Sequence, residues 1–447
     1  MDYNDAELQG IRSLACALLA LSVKDLNPQA KIVDVRTDEL GFICEIHFPS
    51  NIIPNIDQIE ERMRSLLLSD LELHHHEMLQ ENALEMLHHL RQSCIPKSLI
   101  NHPDPLIQMV KLRGHFFPYQ GKTFDQLHAL GAFSLLTQEK AVVQHPLYGS
   151  LTVTRYFGSA FDSSKKLKEF LKQYRLLPKF GHRTLAELHQ MCLFDEESPI
   201  WLERGLEIKF KFYQLWCQWI AKEGYTKIKT PLNLKGSPNL RFSFLPQHQR
   251  FITLSSNHRF AEWGILTRRK KHGPHSELLD PALGTYGVSC LVCSPSEVGG
   301  VLISSLQSIA KFIRMFGIKA ELYWLGKDLS PEEIGEIRRD RIALSAINQS
   351  IEKVLSEQSI PCKREKKSTN KPVQRVVFAM QDLLMRKWQG PSVQLVALKN
   401  RKQRSEDVTF LMTTCLFGPL ERCIGILLET NPNFMHELNF EQWVGEK

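Results

Sequence analysis

The fold is decided by the stretch Arg259-Phe260-Ala261-Glu262-Trp263-Gly264-Ile265-Leu266-Thr267-Arg268-Arg269-Lys270. It runs from apolar residues into a group of cations, and short strands and loops surround it. Taken alone, this pattern indicates a hairpin with a basic loop. Strands that meet by hairpins, with helices inserted between them, favour an antiparallel sheet with flanking helices over a doubly wound parallel sheet. The predicted fold class is therefore α+β.

Two further segments lie on either side of this stretch. Upstream, an amphipathic helix begins at Trp201, runs into a strand over residues 225–229 and is ended by Pro231. Downstream, the last helix opens with Gly418-Pro419-Leu420-Glu421-Arg422-Cys423-Ile424-Gly425-Ile426-Leu427. An arginine at a helix N-terminus opposes the helix dipole, so a nearby anion would explain Arg422. The alternative is an ordinary helix with Glu421 as a first-turn acid.

In this order, the three segments resemble the three motifs of class II aminoacyl-tRNA synthetases, and those of threonyl-tRNA synthetase in particular. The resemblance implies a homodimer through the helix before Pro231, and ATP with Mg²⁺ as the cofactor. It assigns Arg268 to the ATP α-phosphate, because a guanidinium fork can hold the phosphorus in place while charge grows on its oxygens. It assigns Arg422 to the γ-phosphate. Arg268 and Arg422 are therefore the predicted catalytic residues.

Two more residues are assigned to nucleotide binding by the same resemblance. Glu262 belongs to the central stretch quoted first. Gln394 lies in Trp388-Gln389-Gly390-Pro391-Ser392-Val393-Gln394-Leu395, which resembles the strand beneath the adenylate in the family. Together with the two arginines, they form the predicted nucleotide site.

The resemblance covers nearly the whole chain and implies a domain order. Residues 1–155 resemble the family's α/β editing domain, 156–200 form a basic helical connector, and 201–447 resemble the class II core. The matches in the editing part include Gly41-Phe42 and Leu130-Gly131-Ala132-Phe133. The family's small N-terminal domain and its C-terminal anticodon-binding domain are expected to be absent.

The amino-acid pocket departs from the family, which selects threonine with a zinc ion held by one cysteine and two histidines. The cysteine-bearing loop is missing before Arg259, and the histidine positions fall near Cys290 and Thr413. Cys290-Leu291-Val292-Cys293 cannot replace them, because residues three apart on a strand face opposite sides. The stretch that binds the α-amino group is replaced by residues 282–289, which contain no carboxylate. We expect no metal site and no zinc.

The editing half shows similar losses. The family's first two catalytic histidines align with Ser13 and Ala17, while His115 keeps the last position. The runs His74-His75-His76 and His88-His89 are predicted to lie on solvated faces of helices rather than in a metal or acid–base site.

The bulk properties bear on partners and compartment. The net charge of +7 is concentrated in basic runs, which suits tRNA, although such runs are also common as solvated faces. Ten cysteines scattered singly indicate a reducing compartment. Acids rather than cations follow Met1, and no stretch is expected to cross a bilayer. We therefore expect a cytoplasmic protein without membrane or DNA partners.

Three functions remain open. The first is a paralogue without threonine activation that binds tRNA, ATP or the synthetase, and the loss of every amino-acid contact favours it. The second is an active ATP-dependent class II ligase for another amino acid or acceptor, which the two retained arginines favour. The third is a working threonyl-tRNA synthetase with a rearranged pocket, which would have to distinguish threonine from valine without zinc. We prefer the first.

Overall fold

The computed structural model describes residues 6–50, 52–69, 71–90, 94–100, 102, 104–195, 198–229, 259–267, 275–326, 348–349, 351–353, 355–356, 361–366, 373–398 and 409–431. The chain divides into two compact units, an N-terminal unit, Met1–Arg175, and a C-terminal unit, Leu176–Lys447. The division falls within residues 156–200, the segment predicted as a connector.

The N-terminal unit is built on two antiparallel sheets. Strands β1, β2, β7 and β6 form the first in that order, and β3, β4 and β5 form the second. The elements in chain order are α1 (Ala6–Leu26), β1 (Lys31–Thr37), β2 (Phe42–His47), α2 (Ile56–Leu67), β3 (His74–Leu79), α3 (Gln80–His89), α4 (Lys97–Ile100), β4 (Leu106–Leu112), β5 (His115–Tyr119), a 3-10 turn (Leu127–Ala129), β6 (Ala132–His145), β7 (Gly149–Phe161) and α5 (Ser164–Tyr174).

Helix α1 is the centre of this unit's core. Every residue from Gly10 to Val23 is buried, and the helix contacts both sheets and α2. A helix that is apolar around its whole circumference is stable in water only when it is covered on all sides. By length and composition alone α1 could also span a membrane, contrary to the expectation that no stretch would cross a bilayer, but 78% of that span is buried inside the protein.

Strand β3 corrects one expectation from the sequence. The run His74-His75-His76 lies on a strand rather than on a helix, because residues 74–79 pair with β4 from His74 opposite Lys111 to Leu79 opposite Leu106. Pairing with a neighbouring strand here outweighs the local helical pattern. The second histidine run ends α3 and is exposed, as predicted.

The C-terminal unit contains an eight-stranded sheet in the order β10-β11-β12-β17-β16-β15-β13-β14. Its pairs are antiparallel except at the two ends, where β10 with β11 and β13 with β14 are parallel. The elements are α6 (Leu177–Phe180), α7 (His182–Leu188), β8 (Cys192–Asp195), β9 (Ser198–Trp201), α8 (Glu203–Lys222), β10 (Thr226–Lys227), β11 (Arg259–Thr267), β12 (Leu283–Cys293), α9 (Pro295–Met315), β13 (Ala320–Gly326), β14 (Cys362–Lys366), β15 (Val373–Gln381), β16 (Lys387–Leu398), β17 (Thr409–Cys415) and α10 (Leu420–Thr430). The predicted α+β class, an antiparallel sheet with flanking helices, is confirmed.

Aromatic side chains fix the helices α8 and α9 of this unit. The ring of Phe212 on α8 lies 5.6 Å from that of Phe316 and 5.5 Å from that of Phe417, and Phe312 on α9 lies 4.9 Å from Phe417. Such pairs add to the free energy of burial because the rings meet edge to face or offset. The cluster joins α8, α9 and the turn before α10.

Truncating the centre of this cluster should destabilise the protein. Phe212 is fully buried, so Phe212→Ala should lower the free energy of unfolding by about 3–5 kcal/mol. Urea denaturation followed by circular dichroism measures the change. The control Leu188→Ala removes a side chain that is 70% exposed and should change the free energy by no more than about 0.5 kcal/mol. Equal effects of the two variants would contradict this assignment of the core.

Candidate nucleotide and amino-acid site

The structure describes three of the four predicted nucleotide-binding residues. Glu262 lies on β11, Gln394 on β16 and Arg422 in the first turn of α10. Arg268 lies outside the described residues.

Glu262 and Gln394 share one face of the eight-stranded sheet. Gln394 pairs with Thr413, Thr413 with Cys290, and Cys290 with Phe260, which is two residues from Glu262. Directly paired residues project to the same side of a sheet, and side chains alternate along each strand. The sheet therefore gathers the two predicted nucleotide-binding residues and the two positions that the resemblance assigns to zinc.

A further polar side chain on this face, Arg375, was missed from the sequence. Arg375 pairs with Gln394 in the ladder, and its guanidinium donates a hydrogen bond of 3.0 Å to the Gln394 amide oxygen. Glu262 is buried, with the ammonium of Lys229 3.7 Å from its carboxylate. A cation among the apolar residues of β15 was the signal that could have identified Arg375.

Arg422 is only 3% exposed, and its guanidinium is held by the protein. Nε donates to the carbonyl of Leu279, Nη1 donates to the carbonyl of Gln389 at 2.8 Å, and Nη2 lies 3.7 Å from the Asp280 carboxylate. The guanidinium also stacks on the ring of Trp388, 5.1 Å from its centroid. As placed here, Arg422 directs its nitrogens at protein acceptors, which does not fit direct contact with an ATP γ-phosphate.

The position of Trp388 separates Arg422 from the residues on the sheet face. Val393 and Leu395 flank Gln394 along β16 and so point to the opposite face, into the core cluster that also contains Trp388. Cys290 belongs to a different cluster. The structure therefore places Glu262 and Gln394 on the same face of the sheet, on strands that are separated by β12 and β17, and places the Arg422 guanidinium against the core.

Glu421, beside Arg422, ties α10 to the segment that replaces the substrate stretch. Its buried carboxylate accepts hydrogen bonds of 2.7 Å from both the amide and the hydroxyl of Thr285, and Lys209 on α8 lies 2.8 Å away. Hydrogen bonds to a charged acceptor are among the stronger ones in proteins. The alternative reading of Glu421 as an ordinary first-turn acid is therefore incomplete.

A buried histidine fixes the other end of α10. Nδ1 of His182 lies 2.7 Å from Glu429 and Nε2 lies 3.1 Å from Glu277. Burial lowers the pKa of His182, but the hydrogen bonds to the two carboxylates outweigh it and raise that pKa to about 9. Burial raises the pKa of Glu277, and its hydrogen bond to His182 outweighs this and lowers that pKa to about 2. The imidazolium thus fixes the segment from Glu277 to Asp280, in which the Leu279 carbonyl and the Asp280 carboxylate hold Arg422.

The residues at the expected zinc positions do not fit a zinc ion. The Cys290 thiol lies 3.6 Å from the Thr413 hydroxyl, and both residues are buried. The two positions offer one thiol, whose pKa is raised to about 12 by burial, and one neutral hydroxyl, which is not among the thiolate, imidazole and carboxylate ligands that hold structural or catalytic zinc. Within the described part of the chain, no group of three or more histidine, cysteine, aspartate or glutamate residues is placed to hold a metal.

The comparisons with known proteins agree with the resemblance. Threonine–tRNA ligase of Campylobacter lari is 23% identical over 472 residues, which covers 96% of this chain and 77% of that protein. The enzyme of Helicobacter pylori strain J99 is 24% identical over 473 residues, covering 96% of this chain and 76% of that protein. The resemblance to threonyl-tRNA synthetase is confirmed. No protein-family model matches the chain.

Solved structures of threonyl-tRNA synthetases are also similar to the chain. The RNA-binding domain of the Cryptosporidium parvum synthetase has a TM-score of 0.47 and 15% identity, over 57% of this chain and 73% of that one. A putative threonyl-tRNA synthetase from Aeropyrum pernix has a TM-score of 0.44 and 13% identity, over 56% of this chain and 69% of that one.

The positions assigned to the synthetase editing histidines are occupied by packing residues. The Ser13 hydroxyl donates to the Gln120 carbonyl at 2.9 Å and accepts from the Gln120 amide at 3.1 Å. Ala17 is buried in the core. His115 begins β5, and burial, with a smaller effect of Lys24, lowers its pKa. The serine thus closes a backbone contact, and it cannot serve as the base that a histidine would supply.

The His182 network should make stability depend on pH. Because the pKa of His182 is raised in the folded protein, the stabilisation from its charged imidazole is complete below about pH 6.5, the ordinary histidine pKa. This stabilisation is lost as the pH rises towards about 9. Because the pKa of Glu277 is lowered, its stabilisation is complete above about 4.5 and is lost as the pH falls towards about 2. The free energy of unfolding of the wild type should therefore fall by up to about 3 kcal/mol between pH 6.5 and 9.

Urea denaturation at a series of pH values tests this network. His182→Gln should have a lower free energy of unfolding than the wild type at pH 6.5. Its free energy of unfolding should also change little between pH 6.5 and 9, because the glutamine side chain does not titrate. His89→Gln, which removes an exposed histidine, should keep the wild-type slope. A wild-type slope in His182→Gln would show that the imidazole is not charged in the folded protein.

Proposed function

We propose that this chain is a threonyl-tRNA synthetase-like protein that does not activate threonine and acts by binding tRNA. The observation that carries the proposal is the contact between Cys290 and Thr413 at the two positions assigned to zinc-binding histidines. A protonated thiol against a hydroxyl offers the amino and hydroxyl groups of threonine no metal to bind. A site without such polar recognition distinguishes threonine from valine poorly.

The surroundings of Arg422 support the same proposal. Its nitrogens face the carbonyls of Leu279 and Gln389 and the carboxylate of Asp280, so a phosphate would have to displace these partners. The alternative function, an ATP-dependent ligase for another amino acid or acceptor, rests on Arg268, with Glu262 and Gln394 on the sheet face. ATP with Mg²⁺ would be the cofactor of that alternative function.

The partner proposed is tRNA, since the relatives are named threonine–tRNA ligases and the chain carries a net charge of +7. We propose the same domain order as the resemblance implies: an editing-like domain over 1–155, a connector over 156–200 and a class II core over 201–447. We propose the cytoplasm as the compartment because tRNA is the partner, with no membrane or DNA ligand.

ATP–pyrophosphate exchange with the purified full chain tests the loss of activation. We expect no exchange with threonine or with any of the other standard amino acids, while tRNA shifts the chain in a gel. Exchange with threonine would overturn the proposal, and exchange with another amino acid would establish the ligase. In that case Arg268→Ala should abolish ATP binding measured by calorimetry, and Arg375→Gln should weaken it if the sheet face is the site.

We also propose a homodimer through α8, the helix before Pro231. Leu206 and Phe210 are 54% and 58% exposed and lie four residues apart, so they form an apolar strip on one side of the helix. Leu193 and Ile200, paired across the β8–β9 hairpin, are also exposed. Contiguous exposed apolar side chains mark interaction surfaces more often than isolated ones do.

Charge placed on the α8 strip should separate the dimer. Leu206→Asp with Phe210→Asp should give the monomer mass in light scattering, because burying two carboxylates at an apolar interface is unfavourable. Lys211→Asp alters an exposed residue on another side of the same helix and should remain dimeric. A monomeric wild type, or a dimeric double variant, would exclude this interface.

A further inference from the structure

Helix α5 carries a row of cations that none of the predicted sites uses. Lys165, Lys168, Lys172 and the C-terminal cap residue Arg175 follow one another at spacings of three or four residues, and all four are exposed. Residues at these spacings lie on one side of a helix. We call these four residues the α5 stripe. It extends over about 15 Å, at 1.5 Å per residue.

The opposite side of α5 is closed against the sheet of the N-terminal unit. Leu167 and Phe170 are buried, the ring of Phe170 lies 5.5 Å from that of Phe161, and the ring of Tyr174 lies 6.3 Å from that of Phe157. The helix is therefore fixed with the stripe outward. A helix that binds a membrane surface needs an apolar face to insert, and α5 has already buried its apolar face.

Local electrostatics do not account for the α5 stripe. The first turn of α5 contains no acid, and a cation there opposes the helix dipole, so Lys165 is unfavourable to the helix. Lys166 is compensated by Asp162. Among the residues that the structure describes, no ion pair joins a stripe cation to an acid, and the helix's own acid, Glu169, forms none. Like charges at this spacing also repel one another.

We propose that the α5 stripe binds the phosphate backbone of a double-stranded stem of tRNA. This inference rests on the proposed tRNA binding and names the surface that performs it. Lysines act as point charges that neutralise phosphates without reading bases. Double-stranded RNA is recognised through its backbone and shape, because its deep major groove hides the base edges. Binding at the stripe is therefore independent of stem sequence and sensitive to salt.

The test is fluorescence anisotropy of the full chain with a labelled threonine tRNA transcript, titrated between about 50 and 200 mM salt. The triple variant Lys165→Gln, Lys168→Gln, Lys172→Gln should bind at least tenfold more weakly, because three phosphate contacts are lost. The slope of log affinity against log salt should become shallower by about 2–3, from about 0.7–0.9 per contact. Glutamine has a helix propensity close to that of lysine, so the circular dichroism spectrum of the triple variant should match that of the wild type.

The matched control removes the same charge elsewhere. Lys31→Gln, Lys140→Gln and Lys222→Gln replace three exposed, dispersed lysines, and affinity should change by no more than twofold. If the wild type binds tRNA and the stripe variant binds equally well, or both triple variants weaken equally, the stripe assignment is wrong and tRNA binding stands. No binding by the wild type would remove the proposed function and this inference together. Stripe-dependent binding to phosphatidylserine vesicles without tRNA binding would show that the partner is a membrane.

Discussion

The C-terminal unit depends on charged groups that are placed away from water. His182 lies between Glu277 and Glu429, and Arg422 lies among two backbone carbonyls and Asp280. Removing one partner of a buried ion pair leaves the other uncompensated, which typically costs about 3–5 kcal/mol. The partners come from segments 33 to 247 residues apart in the chain, so α7, the turn before β12, β16 and α10 must be in place together.

Helix α10 connects this network to the sheet. Glu421 at its start is bound by Thr285 and Lys209, and Glu429 at its end is bound by His182 and by the amide of Leu383. Both ends of the helix are thus held by hydrogen bonds to charged groups, which are stronger than neutral ones. The arginine that opposes the helix dipole is tolerated because acceptors of the protein surround its guanidinium.

The groups that hold the fold are different from the groups that would select an amino acid. The sheet, its helices and the buried charges of α10 hold the fold, while Cys290 and Thr413 stand at positions that the resemblance assigns to metal ligands. Similarity at 23% identity over 96% of the chain supports the resemblance to threonyl-tRNA synthetase, and a fold by itself does not establish an activity. The α5 stripe, proposed as a tRNA-binding surface, lies outside the residues that the resemblance assigns to the nucleotide and amino-acid site.

The sequence by itself determined the α+β class, the strands and helices with strong periodicity such as α1, α9 and β15 to β17, and the strand position of Cys290. These follow from hydrophobic period and turn residues, which are local properties. The strand at His74 and the placement of Glu262 and Gln394 on one face of the sheet, with β12 and β17 between their strands, were decided by tertiary contacts. Tertiary contacts also decided the partners of Arg422. Its sequence context predicts an anion near the start of the helix, but only the packing of distant segments shows that Asp280 and two backbone carbonyls surround the guanidinium. Burial of charge is a property of the whole fold, which is why local sequence could not reveal it.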